Sequence, residues 1–267
     1  MRYIAVIITW LICTSCEKVI NIQLDTADKK YVVEGVLTNQ PGTCMVLLSQ
    51  TKDFDATNDF TGVGGATVQI SEKDGPTTPL TETSTGVYQA VNLSGTSGKT
   101  YTLSVTIKGE SFVASSTMPA QVNMDSLFIT DDEAPGGNRK MANVQYHDPV
   151  NVGNNYRFVQ YVNGVKEKTI FVRNDELTNG NLTITKLRYA KNDDNEPDNS
   201  IKTGDLVTID MQCIDSAVYK YWYSLNRSAT GGGQNSATPA NPVTNMTGGA
   251  LGYFSAHTLQ SKILVVR

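Results

Sequence analysis

The segment GKTYTLSVTIKGESFVASSTMP, residues 98–119, has the pattern of two strands joined by a tight turn. Between Tyr101 and Ile107, every odd-numbered residue is apolar and every even-numbered residue is Thr or Ser. This period of two predicts a strand with one buried and one solvated face, as in antiparallel sheets. The KGE sequence after Ile107 provides the turn, and Pro119 ends the second strand because proline has no N–H for a sheet ladder.

Four similar strands precede this hairpin, and turns that contain proline and glycine separate them. Short strands at such regular intervals predict a β-sandwich. The order of GATVQI, GVYQAV and GKTYTLSVT also resembles that of transthyretin-like sandwich domains. We therefore expect residues 31–119 to form an N-terminal transthyretin-like or immunoglobulin-like sandwich, with its earlier strands at 31–37, 43–49, 66–72 and 86–91.

Residues 120–267 are also rich in strand patterns and predict a second β-rich, sandwich-like unit. Asn163-Gly164 between two of these strands is a strong hairpin signal. One helix is expected near residues 216–227, where apolar residues recur at helical spacing and Asp215 or Ser216 can cap the first turn. The fold class is therefore all-β with one short α-helix. The predicted strands of this half are 124–130, 140–146, 155–162, 165–172, 182–189, 206–213 and 262–267.

The N-terminus predicts export and a lipid anchor. Residues 4–13 are apolar apart from Thr9, and as a helix they would span about half of a hydrocarbon core, which fits a secretory signal. Ser15-Cys16 then resembles the lipobox of bacterial lipoproteins, although Cys13 stands where leucine is usual. We expect residues 1–15 to be a lipoprotein signal peptide, Cys16 to be lipidated and residues 16–30 to form a tether. A plain signal peptide is the alternative.

Composition excludes one broad class of function. The net charge of −4 is mildly acidic, so the chain lacks the basic footprint of a nucleic-acid-binding protein. Beyond the signal, Cys44 and Cys213 each lie in an apolar alternation and lie far apart in sequence. They are expected to be buried thiols rather than a disulfide. Stability must therefore come from hydrophobic cores, for which the chain is long enough.

Signatures of catalysis are missing from the sequence. Residues 97–100, SGKT, end like a phosphate loop, but Leu93 stands where that motif needs glycine. The two histidines, His147 and His257, have no nucleophile assigned to them by any motif. The acidic loop Asp193–Asn199 lacks the glycine and final glutamate of an EF-hand, so it is expected to be solvated, with calcium binding as the alternative. We predict a protein that is not an enzyme and has no cofactor and no metal site.

Two features are candidates for a ligand or partner surface. Tyr219 and Tyr223 flank the apolar stripe of the predicted helix and would be its exposed aromatics, although aromatic residues at this spacing more often form core. Gly248 and Gly249 lie in a segment with little side-chain bulk, which permits close backbone approach. That segment either packs tightly against the sheet or docks a partner. Separately, Asp25-Thr26-Ala27 resembles an O-glycosylation sequon of exported Bacteroidota proteins, which makes Thr26 a candidate site.

The chain as a whole resembles one family. YVVEGVLTNQPG, GDLVTIDMQCID and NPVTNMTGGALGYFSA, together with the lipobox cysteine, are similar to the Bacteroidota outer-membrane lipoproteins of domain-of-unknown-function family 4249. The resemblance covers residues 16–267 and implies no catalytic residue. Because members are often encoded beside TonB-dependent receptors, it implies an accessory role in nutrient or metal-chelate capture.

We therefore expect a protein held at the outer membrane by its lipid, facing either the cell surface or the periplasm. Its expected role is ligand capture beside a TonB-dependent outer-membrane transporter. The alternative is a surface adhesion or structural module that binds glycans or proteins.

Overall fold

The computed structural model describes residues 28–52, 59–133, 138–189, 198–229 and 241–267. Within these ranges it contains sixteen strands and one α-helix, which confirms the predicted all-β class with a single short helix. Among the described residues, no helix is long and apolar enough to cross a membrane.

The elements are numbered in chain order. The helix α1 spans Ser216–Ala229. The strands are β1 Tyr31–Thr38, β2 Cys44–Gln50, β3 Thr67–Glu72, β4 Thr77–Pro79, β5 Thr81–Ser84, β6 Val87–Ala90, β7 Thr100–Ile107, β8 Glu110–Thr117, β9 Ser126–Asp132, β10 Arg139–His147, β11 Asn155–Val162, β12 Val165–Lys166, β13 Phe171–Asn174, β14 Leu182–Leu187, β15 Leu206–Ile214 and β16 Leu251–Val265.

The first core lies between two sheets. One contains the strands in the order β16-β1-β2-β6-β5, and the other has the order β4-β3-β7-β8. The alternation that predicts β7 is confirmed, because Leu103 and Val105 are fully buried while the threonines between the apolar residues point outward. Cys44 is a buried free thiol in this core, as expected. The period-two pattern thus places one face of each strand between the sheets.

The second core also lies between two layers of strands. One layer has the strand order β12-β11-β15-β16, and the other is the three-stranded sheet β14-β10-β9. Tyr146 and Tyr156 pack within it, with ring centroids 4.8 Å apart. The predicted continuous strand 165–172 is wrong: β12 ends at Lys166 and β13 begins at Phe171. Between them the Glu167 carboxylate accepts hydrogen bonds from the backbone N–H and the hydroxyl of Thr169, which turns the chain away from the ladder.

A single strand, β16, joins the two cores. Its first seven residues pair in parallel with β1, and its last eight pair antiparallel with β15. Phe254 and Ala256 belong to the first core although they come from the end of the chain. The predicted last strand, 262–267, is therefore too short. Its first half was missed because residues 252–258 are buried on both faces and show no alternation.

Because both strand orders share β16, they form one large sheet of nine strands, including β13, which pairs with β11. The helix α1 forms a further layer on the outer face of this large sheet. Asp215 caps it, since its Oδ1 accepts a hydrogen bond of 2.9 Å from the backbone N–H of Val218. Tyr253 of β16 points away from the first core and packs on Tyr221 of α1, with ring centroids 4.7 Å apart. The helix therefore shields part of the sheet and leaves the rest of that face in solvent.

Candidate functional site

The strongest candidate site is a cavity of about 360 Å³ where α1 meets the outer face of the large sheet. It opens between the helix, β11 and the turn that follows β12. Its lining includes three cationic residues, one acidic residue and four apolar ones. These are Arg157, Lys166, Lys168, Glu167, Phe158, Val159, Ile170 and Trp222, and we call this cavity the cationic cleft.

Arg157 is fixed by two contacts. Its guanidinium carbon lies 3.8 Å from the centroid of the Trp222 ring, a cation–π stack. Its Nη1 donates a hydrogen bond of 2.8 Å to Oε1 of Gln212, the residue opposite it in the β11–β15 register. Among the described residues, no carboxylate lies within 4.0 Å of this guanidinium. Several of its N–H groups therefore remain available to a ligand.

Lys166 brings a second positive charge to the same cleft. Partial desolvation of its ammonium, and then the positive charge of Arg157, lower the pKa of Lys166. Within the described ranges its ammonium likewise has no carboxylate within 4.0 Å. Glu34 on β1 is the acid that offsets both cations at longer range, and partial desolvation raises the pKa of that carboxyl. Two neighbouring cations without an ion pair favour an anionic ligand.

Beneath α1, the cleft is backed by groups that stay uncharged. Burial raises the pKa of Tyr221 to about 12 and also raises that of Tyr253. Burial, and then the charge of Arg157, lower the pKa of His257 to about 3. The Nδ1 of His257 lies 2.8 Å from the hydroxyl of Ser255, and both residues are buried. The low pKa keeps the histidine of this buried pair neutral at pH 7.

A second feature is an exposed apolar surface at the loop end of the second unit. Leu177 is 95% exposed, and Val150 and Val152 are 79% and 80% exposed. Tyr223 of α1 is also exposed and stacks on Tyr219, with ring centroids 5.7 Å apart. We call these five residues the loop-end surface. Both tyrosines were predicted to be exposed; Tyr223 is exposed, whereas Tyr219 is half-buried.

Two observations place the parts of this surface near each other. The backbone N–H of Gly180 donates a hydrogen bond of 3.1 Å to the carbonyl of Pro149, which joins the two loops that carry the aliphatic residues. Burial, and then Tyr223 and the carboxylate of Glu176, raise the pKa of Tyr219, so the helix stands beside the loop of Leu177. Exposed apolar groups in one patch are typical of interaction sites.

Of the two candidate glycines, Gly248 belongs to a structural contact. Gly248 has a φ of +81°, and a Cβ there would lie 2.2 Å from the carbonyl oxygen of Ser111 on β8. Thr247 pairs with Val113 of the same strand, and the side chain of Asn245 bonds both backbone groups of Phe254. The segment thus packs tightly against β8 and β16, as one of the two sequence-based interpretations expected. Gly249 adopts a φ of +90° in open space.

The remaining sequence candidates are distributed over the surface. His147 is 72% exposed at its side chain and pairs with Asp125, Nδ1 to Oδ2 2.9 Å, outside any cleft described above. Of the acidic loop, Asp198 pairs with Lys202 at 3.0 Å. The described residues contain no group of three or more His, Cys, Asp or Glu side chains arranged to hold a metal ion. Cys16 and Thr26 lie outside the described residues.

Sequence reasoning missed Arg157 and Lys166. Arg157 sits in a strand whose neighbours Tyr156 and Phe158 are buried, so a charge at that position was a usable signal. Its stacking on Trp222, 65 residues later, depends on where the helix packs. Lys166 follows the Asn163-Gly164 turn and showed no signal of its own.

A family model described as "Domain of unknown function (DUF4249)" matches residues 17–263, nearly the whole chain. No curated protein matches the chain. The chain therefore belongs to the DUF4249 family, and the resemblance seen in the sequence is confirmed.

Proposed function

We propose that this DUF4249 protein is a non-catalytic, lipid-anchored component of the outer membrane that captures a ligand and docks on a TonB-dependent transporter. The observation that carries the docking is the loop-end surface. Its three aliphatic residues lie on two loops that bond each other, and 79% to 95% of each residue's surface is exposed. A monomer gains nothing from such exposure, whereas a protein partner would bury it.

The resemblance to family 4249 supports the kind of partner, because members are often encoded beside TonB-dependent receptors. The cationic cleft supports the capture role, since it offers a concave, half-apolar space in which Arg157 and Lys166 have no carboxylate within 4.0 Å among the described residues. The two sites use different residues. Docking and capture can therefore be tested separately.

The docking is tested by pull-down from detergent-solubilised outer membranes with the tagged, processed protein. We expect recovery of a receptor barrel, and we expect Leu177→Asp to reduce that recovery at least tenfold by placing a charge in the interface. Val91→Asp is the matched control, because Val91 is 67% exposed on the first unit. Failure to recover any receptor barrel, or equal recovery with both variants, would contradict the docking proposal.

The anchor is tested independently of the partner. Cys16→Ala removes the thioether that would carry the lipid, so the variant should leave the membrane fraction when cells are broken and centrifuged. Cys13→Ala is the control and should stay in the membrane fraction. Retention of the Cys16 variant would show that the anchor assignment is wrong.

One observation favours a second candidate, a surface adhesion module. Tyr219 and Tyr223 form a stacked pair, 25° between ring planes, with one ring exposed, and such rings can also bind the apolar faces of sugars. In that case oligosaccharides would bind the purified protein and Tyr223→Ala would abolish their binding. No receptor would be recovered in the pull-down.

A further inference from the structure

We propose that the cationic cleft binds a small organic carboxylate, with the carboxylate on Arg157 and Lys166 and an apolar body against Trp222 and Ile170. This inference deepens the capture role proposed above. It names the chemical class of the ligand from the charges and walls of one cavity.

The carboxylate assignment comes from Arg157. Stacking on Trp222 fixes the guanidinium plane, and the bond to Gln212 uses one of its five N–H groups. A planar fork held in this way matches the two oxygens of a carboxylate better than it matches a single-atom acceptor. Because both fixing residues belong to rigid elements, little ordering is needed when a ligand binds.

Lys166 adds affinity without restricting geometry. Lys166 and Arg157 line the same cavity, and the charge of Arg157 is, after partial desolvation, a cause of the lowered pKa of Lys166. Like charges in one cavity repel each other. An anion between them would relieve that repulsion. The opposing acids are engaged elsewhere or lie further away: Asp210 accepts a hydrogen bond from Ser261, and Glu167 accepts from Thr169 and Asn199. Glu34 acts on the cations at more than ion-pair distance.

The apolar half of the assignment comes from the cleft wall. Trp222 and Ile170 line the space together with Phe158 and Val159 of β11. A cavity of about 360 Å³ accommodates a small molecule with one ring or a short chain. An inorganic anion would leave this apolar wall hydrated and would gain nothing from it.

The probe is benzoate, and the readout is tryptophan fluorescence of the processed protein in detergent. The sequence contains two tryptophans, Trp10 and Trp222, and removal of residues 1–15 leaves only Trp222 in the cleft. We expect a saturable change with benzoate and none with benzamide, which has the same shape without the charge. Acetate and inorganic phosphate should bind at least about tenfold more weakly, because they lack the apolar body.

Variants separate the cleft from the fold. Arg157→Gln should weaken benzoate binding at least about tenfold, the loss typical of a charged hydrogen bond, and Lys166→Gln severalfold. Lys220→Gln is the matched control: it removes the same charge from an exposed position on α1. Since Arg157→Gln could perturb packing on Trp222, Lys166→Gln decides the outcome if thermal melting shows that the first variant is unfolded.

Each result has a defined consequence. No saturable benzoate signal up to about 10 mM, or equal affinity in wild type and Lys166→Gln, would overturn the carboxylate assignment. Phosphate binding as tightly as benzoate would overturn the apolar half. The binding assay uses purified protein, so it is independent of the receptor pull-down. Benzoate binding without receptor recovery would support the carboxylate assignment and contradict the transporter partnership. Receptor recovery without benzoate binding would support the partnership and contradict the carboxylate assignment.

Discussion

The two halves of β16 form one continuous strand in two different environments. The first half, Leu251–His257, pairs in parallel with β1 and is buried on both faces. The second half, from Thr258 to Val265, pairs antiparallel with β15 and exposes Ile263 and Val265. The difference shows that the end of the chain completes the first core, while the same strand merely borders the second.

Gly252 shows how strictly the first half is defined. Its φ is +95°, and a Cβ at this position would lie 2.0 Å from the carbonyl oxygen of Val33 on β1. Only glycine permits both the conformation and the approach. The second half contains no glycine and follows ordinary antiparallel geometry.

The largest expected effect breaks the first half. Phe254→Ala removes a fully buried ring that contacts both sheets of the first core, so the free energy of unfolding should fall by about 3–5 kcal/mol. Ile263→Ala, on the same strand but 64% exposed, should change it by less than about 0.5 kcal/mol. Urea denaturation measures both. Similar losses for the two variants would contradict the contrast between the halves.

An intermediate effect, a few kcal/mol in total, comes from protonation of His257 in the first half. Its pKa is about 3 in the folded protein, against about 6.5 when unfolded, so the unfolded state binds more protons between these values. Stability is therefore complete above pH 6.5 and is lost as the pH falls toward 3. Urea denaturation across this range should show a smaller pH slope for His257→Gln than for wild type.

Two carboxylates also make stability depend on pH, and they do so equally in wild type and in His257→Gln. Hydrogen bonds from the backbone N–H groups of Gly65 and Gly86 lower the pKa of Glu82, and Lys186 lowers that of Asp132. Both carboxylates lose their contribution to stability in acid in either protein. The two slopes should converge only as the pH approaches 3, where His257 becomes protonated in the folded state as well. Parallel curves between pH 6.5 and 4 would be inconsistent with a buried neutral His257.

The smallest expected effect concerns the hydrogen bonds that link Asp215 to β8 and, through Ser116, to the first half of β16. Oδ2 of Asp215 accepts one hydrogen bond from the hydroxyl of Ser116 and one from the backbone N–H of Thr117. The Ser116 hydroxyl oxygen in turn accepts a hydrogen bond from the backbone N–H of Ala256 on β16. Asp215→Ala loses both this link and the helix cap, about 1–2 kcal/mol in all.

Asp215→Asn separates these two contributions. Its remaining oxygen can still cap α1 at Val218, so thermal melting should place its stability between those of wild type and Asp215→Ala. If the Asp215→Asn variant has the same melting temperature as wild type, the hydrogen bonds between Asp215 and β8 contribute nothing to stability.

Sequence patterns predicted the local elements well and the long-range pairings poorly. The β7–β8 hairpin and the capped helix follow from alternation and capping, which are properties of neighbouring residues. The first half of β16 was missed because burial on both faces removes the alternation. The stacking of Arg157 on Trp222 was missed because nothing local to either residue reports on the other.

By itself, the sequence determined the all-β class, the position of the helix, the burial of both thiols and membership of the family, since each depends on patterns within short segments. The tertiary structure alone decided that the end of the chain completes the first core and that two cations meet beside Trp222. These features arise where strands distant in sequence adopt one register, and the free energy that selects the register comes from burial across the whole sheet.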